Sequence, residues 1–193
     1  ILKSDAAVDL VHFTILRPPE KQDGTPISQL SLIAFPTREL FSVKIDEFDL
    51  IIFDRYRRRG VLPTVYFDNI ARFVRNGGAL LVASGPDFAS STSIYHSPLA
   101  PVLPATPTGS LIERPFRATV SPRGARHPVT RGLPGANSDP PAWGRWFRAV
   151  EAVPERGETA LNTSDGQPLL ILRREEAGRV ALLLSDPAWL WSR

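Results

Sequence analysis

Apolar residues fall along this chain in short runs of two kinds. Phe48-Asp49-Leu50-Ile51-Ile52-Phe53-Asp54 is nearly continuous, the pattern of a parallel strand covered on both faces. Val65, Ile70, Phe73 and Val74 instead recur at roughly helical spacing. Pro63 suits the first turn of that helix, and Asn76-Gly77-Gly78 suits its end, where glycine takes up the left-handed backbone. Ala79 to Ala83 is again a buried-strand run. Residues 48 to 84 therefore predict a strand–helix–strand unit with a right-handed parallel crossover.

The flanking patterns extend this picture. Val8 to Leu16 reads as a strand stopped by Arg17-Pro18-Pro19, and Leu30 to Phe35 is a second apolar run stopped by Pro36. Thr37 is placed to cap a short helix. Pro86 to Thr108 is rich in proline and serine, with a short helix expected around Leu99 to Leu103. Phe88, Ile94, Tyr95 and Leu99 are its apolar anchors, and we expect an ordered cover over the carboxyl edge of the sheet. Leu111 to Val120 reads as extended chain and Pro134 to Pro141 as a connector. Pro168 to Arg173 and Arg179 to Leu184, joined by Arg174-Glu175-Glu176-Ala177-Gly178, read as an antiparallel hairpin. The β–α alternation predicts an open, mostly parallel sheet with helices on both sides. The expected fold is a three-layer α/β/α sandwich, flavodoxin-like and Rossmann-like, as one domain over residues 1–193.

Composition narrows the chemistry. The chain has no cysteine, which removes disulfides, thiolate metal sites and cysteine nucleophiles. It begins at Ile1 and has no methionine, so we expect a portion of a longer protein. The net charge is only +3, and the pI near 9.7 reflects arginine, which keeps its proton. No basic stripe interleaved with aromatics is present, and no nucleic-acid partner is expected. Apolar runs such as Val180 to Leu184 fall far short of the roughly 20 residues of a membrane span. His12, His96 and His127 lack ligand spacing, so no metal is expected. The G-x-G-x-x-G spacing is also absent, and no cofactor is expected.

Ligands of open α/β sheets bind beyond the carboxyl ends of the strands. Asp54 to Gly60, Ser84 to Ser93 and Ser185 to Trp189 are the loops expected there. The first holds Arg55, Arg57, Arg58 and Arg59, whose guanidinium groups suit phosphate or carboxylate, beside a helix start that favours anions. A solvated charged loop is the plainer reading of the same residues.

Three stretches then point to a relative: Gly77-Gly78-Ala79-Leu80-Leu81-Val82-Ala83-Ser84-Gly85-Pro86, His127-Pro128-Val129-Thr130-Arg131-Gly132-Leu133, and Gly178 through Ser185-Asp186. Together they resemble class I glutamine amidotransferase-like domains, especially those of uncharacterised bacterial membrane proteins and of the trehalose-utilisation type. The resemblance implies a cysteine on a sharp turn after one strand and a His-x-Glu after a late strand, acting as nucleophile, base and orienter. Ser84 and Gly85 stand at the first place, Ser185 and Asp186 at the second. Two triad members are missing, so the expected function is non-catalytic: ligand sensing or protein interaction. The resemblance further implies a soluble domain anchored at a bacterial inner membrane. Its partners would be other domains of that protein or a membrane complex, with a small anionic ligand. The alternative is a hydrolase or amidotransferase relative with a rearranged site drawn from Ser84, Asp87 and His96.

Overall fold

The computed structural model describes residues 5–14 and 36–186. Eight strands occur among them: β1 Leu50–Asp54, β2 Ala79–Ala83, β3 Ala105–Ile112, β4 Thr119–Val120, β5 Ala149–Pro154, β6 Glu158–Asn162, β7 Pro168–Glu175 and β8 Gly178–Leu183. One α-helix, α1 Thr64–Arg75, joins β1 to β2. A π-helical turn, Glu39–Val43, follows Thr37. Short 3-10 turns supply the remaining helical residues.

Six strands form one sheet in the order β1-β2-β8-β7-β6-β4, and β3 pairs with β5 in a separate antiparallel sheet. Only β1/β2 and β2/β8 run parallel; the β8/β7, β7/β6 and β6/β4 pairs are antiparallel. The three-layer α/β/α expectation, with its flavodoxin-like and Rossmann-like labels, is therefore corrected. The described residues are mainly β, the large sheet is mixed, and no second helical layer accompanies α1.

The reason lies in the faces of the sheet. Ile51, Phe53, Leu80, Val82, Val180 and Leu182 share one face by their register, and all are buried. They join a cluster with Phe67, Ile70 and Val74 of α1 and with Phe88, Ile94 and Leu99. The opposite face is open at β1, where Leu50 is 46% and Ile52 37% exposed. An unbroken apolar run thus lies in a strand covered on one face only.

On α1, Phe67, Ile70, Ala71 and Val74 make one buried stripe at helical spacing. Full burial of an Ile or Val such as Ile70 or Val74 stabilises by about 1.5–3 kcal/mol. Val65 points out instead, 55% exposed. The end of α1 sits on the β7–β8 hairpin: Ala177 N–H donates to the Arg75 carbonyl, and a Cβ at Gly178 would lie 1.8 Å from the Val74 carbonyl oxygen.

Phe88, Ile94 and Leu99 are each buried, and Tyr95 is half-buried. The segment they anchor does not merely cap the carboxyl edge. It leaves β2 there and ends at Leu103, whose carbonyl accepts from Arg173 Nη1 at 3.1 Å. Arg173 pairs with Val180 near the opposite end of β8, so the segment crosses the buried face lengthwise. Its short helix is a 3-10 turn, Ala100–Val102, since two prolines in Pro98 to Pro101 leave too few backbone donors for an α-turn.

Residues 8–14 form no strand, and Val8, Val11 and Phe13 are exposed. Ile15 and Leu16 of that expected strand, the Leu30 to Phe35 run and Pro187 to Trp189 of the last expected loop lie outside the described residues.

Candidate functional site

The carboxyl ends of β1, β2 and β8 are neighbours, which brings Asp54, Ser84 and Asp186 to one edge. Arg55 N–H continues the ladder to the Ala83 carbonyl at 2.8 Å, and Ser84 N–H continues it to Leu183 at 2.9 Å. Arg55 then turns sharply, with a left-handed φ of 46°. Its stem lies across Gly85, where a Cβ would come within 3.2 Å of Arg55 Cγ. Tyr56 packs against Phe53 and edge-on to Phe67, fixing the start of the arginine loop to the core.

Both serines at the edge are committed to backbone. Ser84 Oγ donates to the Leu183 carbonyl at 2.7 Å, and Ser185 Oγ donates to the Arg148 carbonyl at 2.5 Å. His96 is exposed and its ring packs on Tyr95. His127 lies beyond β6, where its Nδ1 accepts from Val129 N–H within a local turn. Its neighbour Gly124 packs on Ala160 of β6, three strands from β2 and thus about 14 Å away at the usual strand spacing. Among the described residues no histidine shares a hydrogen bond with Ser84, whose hydroxyl is bound to the Leu183 carbonyl. Among the described residues, no three His, Asp or Glu side chains gather as metal ligands.

Asp186 is the most enclosed charge at this edge, its side chain fully buried. Oδ2 accepts from Arg148 Nε at 2.9 Å and lies 2.7 Å from Arg148 Nη2. Oδ1 receives no hydrogen bond; Arg55 Nη1 stands off at 3.9 Å. Arg148 reaches the site because β5 begins beside the end of β8, with Val150 N–H donating to the Leu184 carbonyl at 2.8 Å. Burial pushes the Asp54 carboxyl up from its ordinary range, against the pull of Arg55 and His12, and Asp186 adds to the rise.

The four loop arginines therefore do different things. Arg57 pairs with Asp87 at 3.3 Å, and Arg58 donates to the His96 carbonyl while its own N–H donates to the Thr92 carbonyl. These two fasten the crossing segment. Arg59 is exposed, and Arg55 faces Asp186. A solvent-open cleft of about 320 Å³ lies beside Arg58, Leu62, Thr64 and Thr92 at the start of α1. Arg148, absent from the sequence expectations, is the second cation of the edge; no motif surrounds it, and the backbone bond from Val150 to Leu184, just past β8, brings it there.

No protein-family model matches the chain, and no curated protein matches it in sequence. Solved structures do resemble it in fold. A cytoplasmic protein of Salmonella typhimurium is 21% identical with a TM-score of 0.61, over 75% of this chain and 63% of that one. A second cytoplasmic protein, from Salmonella typhimurium LT2, is 19% identical with a TM-score of 0.58 and the same coverage. A cold-adapted β-galactosidase from Rahnella sp. R3 matches at 17% identity and a TM-score of 0.51, over 73% of this chain and 20% of that enzyme. The chain thus spans less than two thirds of each of these proteins, and the likeness is one of fold. The inner-membrane expectation is corrected as well. No helix among the described residues is long and apolar enough to cross a membrane, and two of the similar structures are described as cytoplasmic proteins.

Proposed function

We propose that this chain is a non-catalytic binding domain, degenerate with respect to the glutamine amidotransferase-like pattern that its turn sequences resemble, and serving in ligand sensing or protein interaction. One observation carries the reading: Ser84 and Ser185 both spend their hydroxyl protons on backbone carbonyls. A serine nucleophile needs a base that accepts that proton. Here the proton is held by the fold, and the neighbouring carboxylate, Asp186, is bound to an arginine and not to a histidine. Asp87, the other acid of a rearranged site, is paired with Arg57.

The purified domain should release no ammonia from glutamine above a boiled control, and should not turn over a panel of amide and ester substrates. Ser84→Ala should leave that baseline unchanged. Saturable turnover abolished by Ser84→Ala would overturn the reading in favour of a hydrolase.

A further inference from the structure

We propose that Arg55 and Arg148, held on either side of the buried Asp186 carboxylate, form a binding site for a small carboxylate ligand at the carboxyl edge of β1, β2 and β8. The proposal deepens the binding-domain reading by naming a ligand class and a place.

Asp186 organises the pair. Its Oδ2 takes two nitrogens of Arg148, which orients that guanidinium and leaves its remaining N–H donors free for another acceptor. Arg55 stands on the Oδ1 side, too far for a hydrogen bond, so its donors are uncommitted within this cluster. Both side chains reach solvent, Arg55 at 54% and Arg148 at 32% exposure, while the carboxylate beneath them is fully enclosed. A fixed guanidinium beside a second, movable one suits the two coplanar oxygens of a carboxylate, which arginine binds in paired fashion. The unbonded Oδ1 gives Arg55 a place to settle: its guanidinium can close the 3.9 Å gap to that buried acceptor with one N–H while its other donors face the ligand.

Charge selects a monoanion. Two arginines face Asp186 and the neighbouring Asp54, so the cluster is balanced before a ligand arrives, and each further negative charge the ligand carries adds to the cost of binding. The crossing segment is fastened by Arg57 and Arg58, which leaves Arg55 outside that tie.

The test is calorimetric titration of the whole chain with sodium acetate, sodium phosphate and sodium chloride at matched ionic strength. Acetate should bind saturably and more tightly than phosphate, with no saturable response to chloride. Arg148→Ala strips a buried carboxylate of its partner and is expected to disturb folding, so Arg55→Asn is the decisive variant. Its position is exposed, and asparagine tolerates the left-handed backbone there. It should weaken acetate binding about tenfold or more, as expected for a lost charge-assisted pair, whereas Arg57→Ala should leave binding intact. Unsaturable acetate, phosphate binding as tight as acetate, or full binding by Arg55→Asn would each overturn the proposal. A protein that fails these titrations and still turns over no substrate refutes the carboxylate site alone; turnover refutes the non-catalytic reading.

Discussion

Asp54 shows how one carboxylate at this edge acts against the fold. Burial raises its pKa above that of the unfolded chain, with Asp186 adding repulsion and Arg55 and His12 opposing it. A raised acid makes the folded state hold its proton longer, so stability is complete below the unfolded pKa and falls as pH climbs through the folded one. Asp54→Asn removes a charge that is costly at neutral pH and harmless in acid. We expect a gain of roughly a few tenths of a kcal/mol at pH 7, kept small by solvent screening, and none near pH 3. Thermal melts of the two proteins across that range check the sign: equal melting at neutral pH would mean that Arg55 and His12 fully compensate the burial.

At the scale of elements, the contact between α1 and the β7–β8 hairpin depends on a missing side chain. A Cβ at Gly178 would meet the Val74 carbonyl oxygen at 1.8 Å and that of Gly78 at 2.5 Å, both backbone atoms that cannot rotate aside. Gly178→Ala must push the hairpin off the helix, and overpacking of this kind costs about 1–3 kcal/mol. Chemical denaturation should show that loss, while Gly77→Asn, at an open position with a left-handed φ of 123°, should cost less. The unit made by β1, α1 and β2 was legible in sequence because its apolar period changes from strand-like to helical and back, with Gly77 marking the join. The covering of β1 was not legible. Leu50 and Ile52 are as apolar as Ile51 and Phe53, and only the three-dimensional stacking decides that one pair is buried and the other exposed. β5 and β6 carried no pattern strong enough to be recognised, and with β5 went Arg148. The arginine loop was visible as charge, but its division of labour depends on Asp87, His96 and Asp186, which lie far along the chain.

Over the whole molecule, the segment from Pro86 to Leu103 is fastened differently at its two ends. Near β2 the ion pair is Arg57–Asp87, with side chains 38% and 34% exposed, beside the bonds that Arg58 makes to the Thr92 and His96 carbonyls. At the other end, the guanidinium of Arg173, 5% exposed, holds the carbonyls of Pro101 and Leu103 and pairs with Glu175. Salt screens the first tie and scarcely reaches the second, since the Debye length falls from about 30 Å at 0.01 M to about 3 Å at 1 M. Hydrogen exchange should therefore quicken with salt over Asp87 to Ser93 and stay slow at Val102 and Leu103. Uniform protection, or salt sensitivity at Leu103, would contradict this. Arg173 then acts as an anchor post: Phe88, Ile94 and Leu99 keep the segment seated in the core, and what salt slackens is its polar turn beside Gly85 and Arg55. Ionic strength would thus loosen one edge of this cover like a slackened stitch, while its seam with the core stays closed.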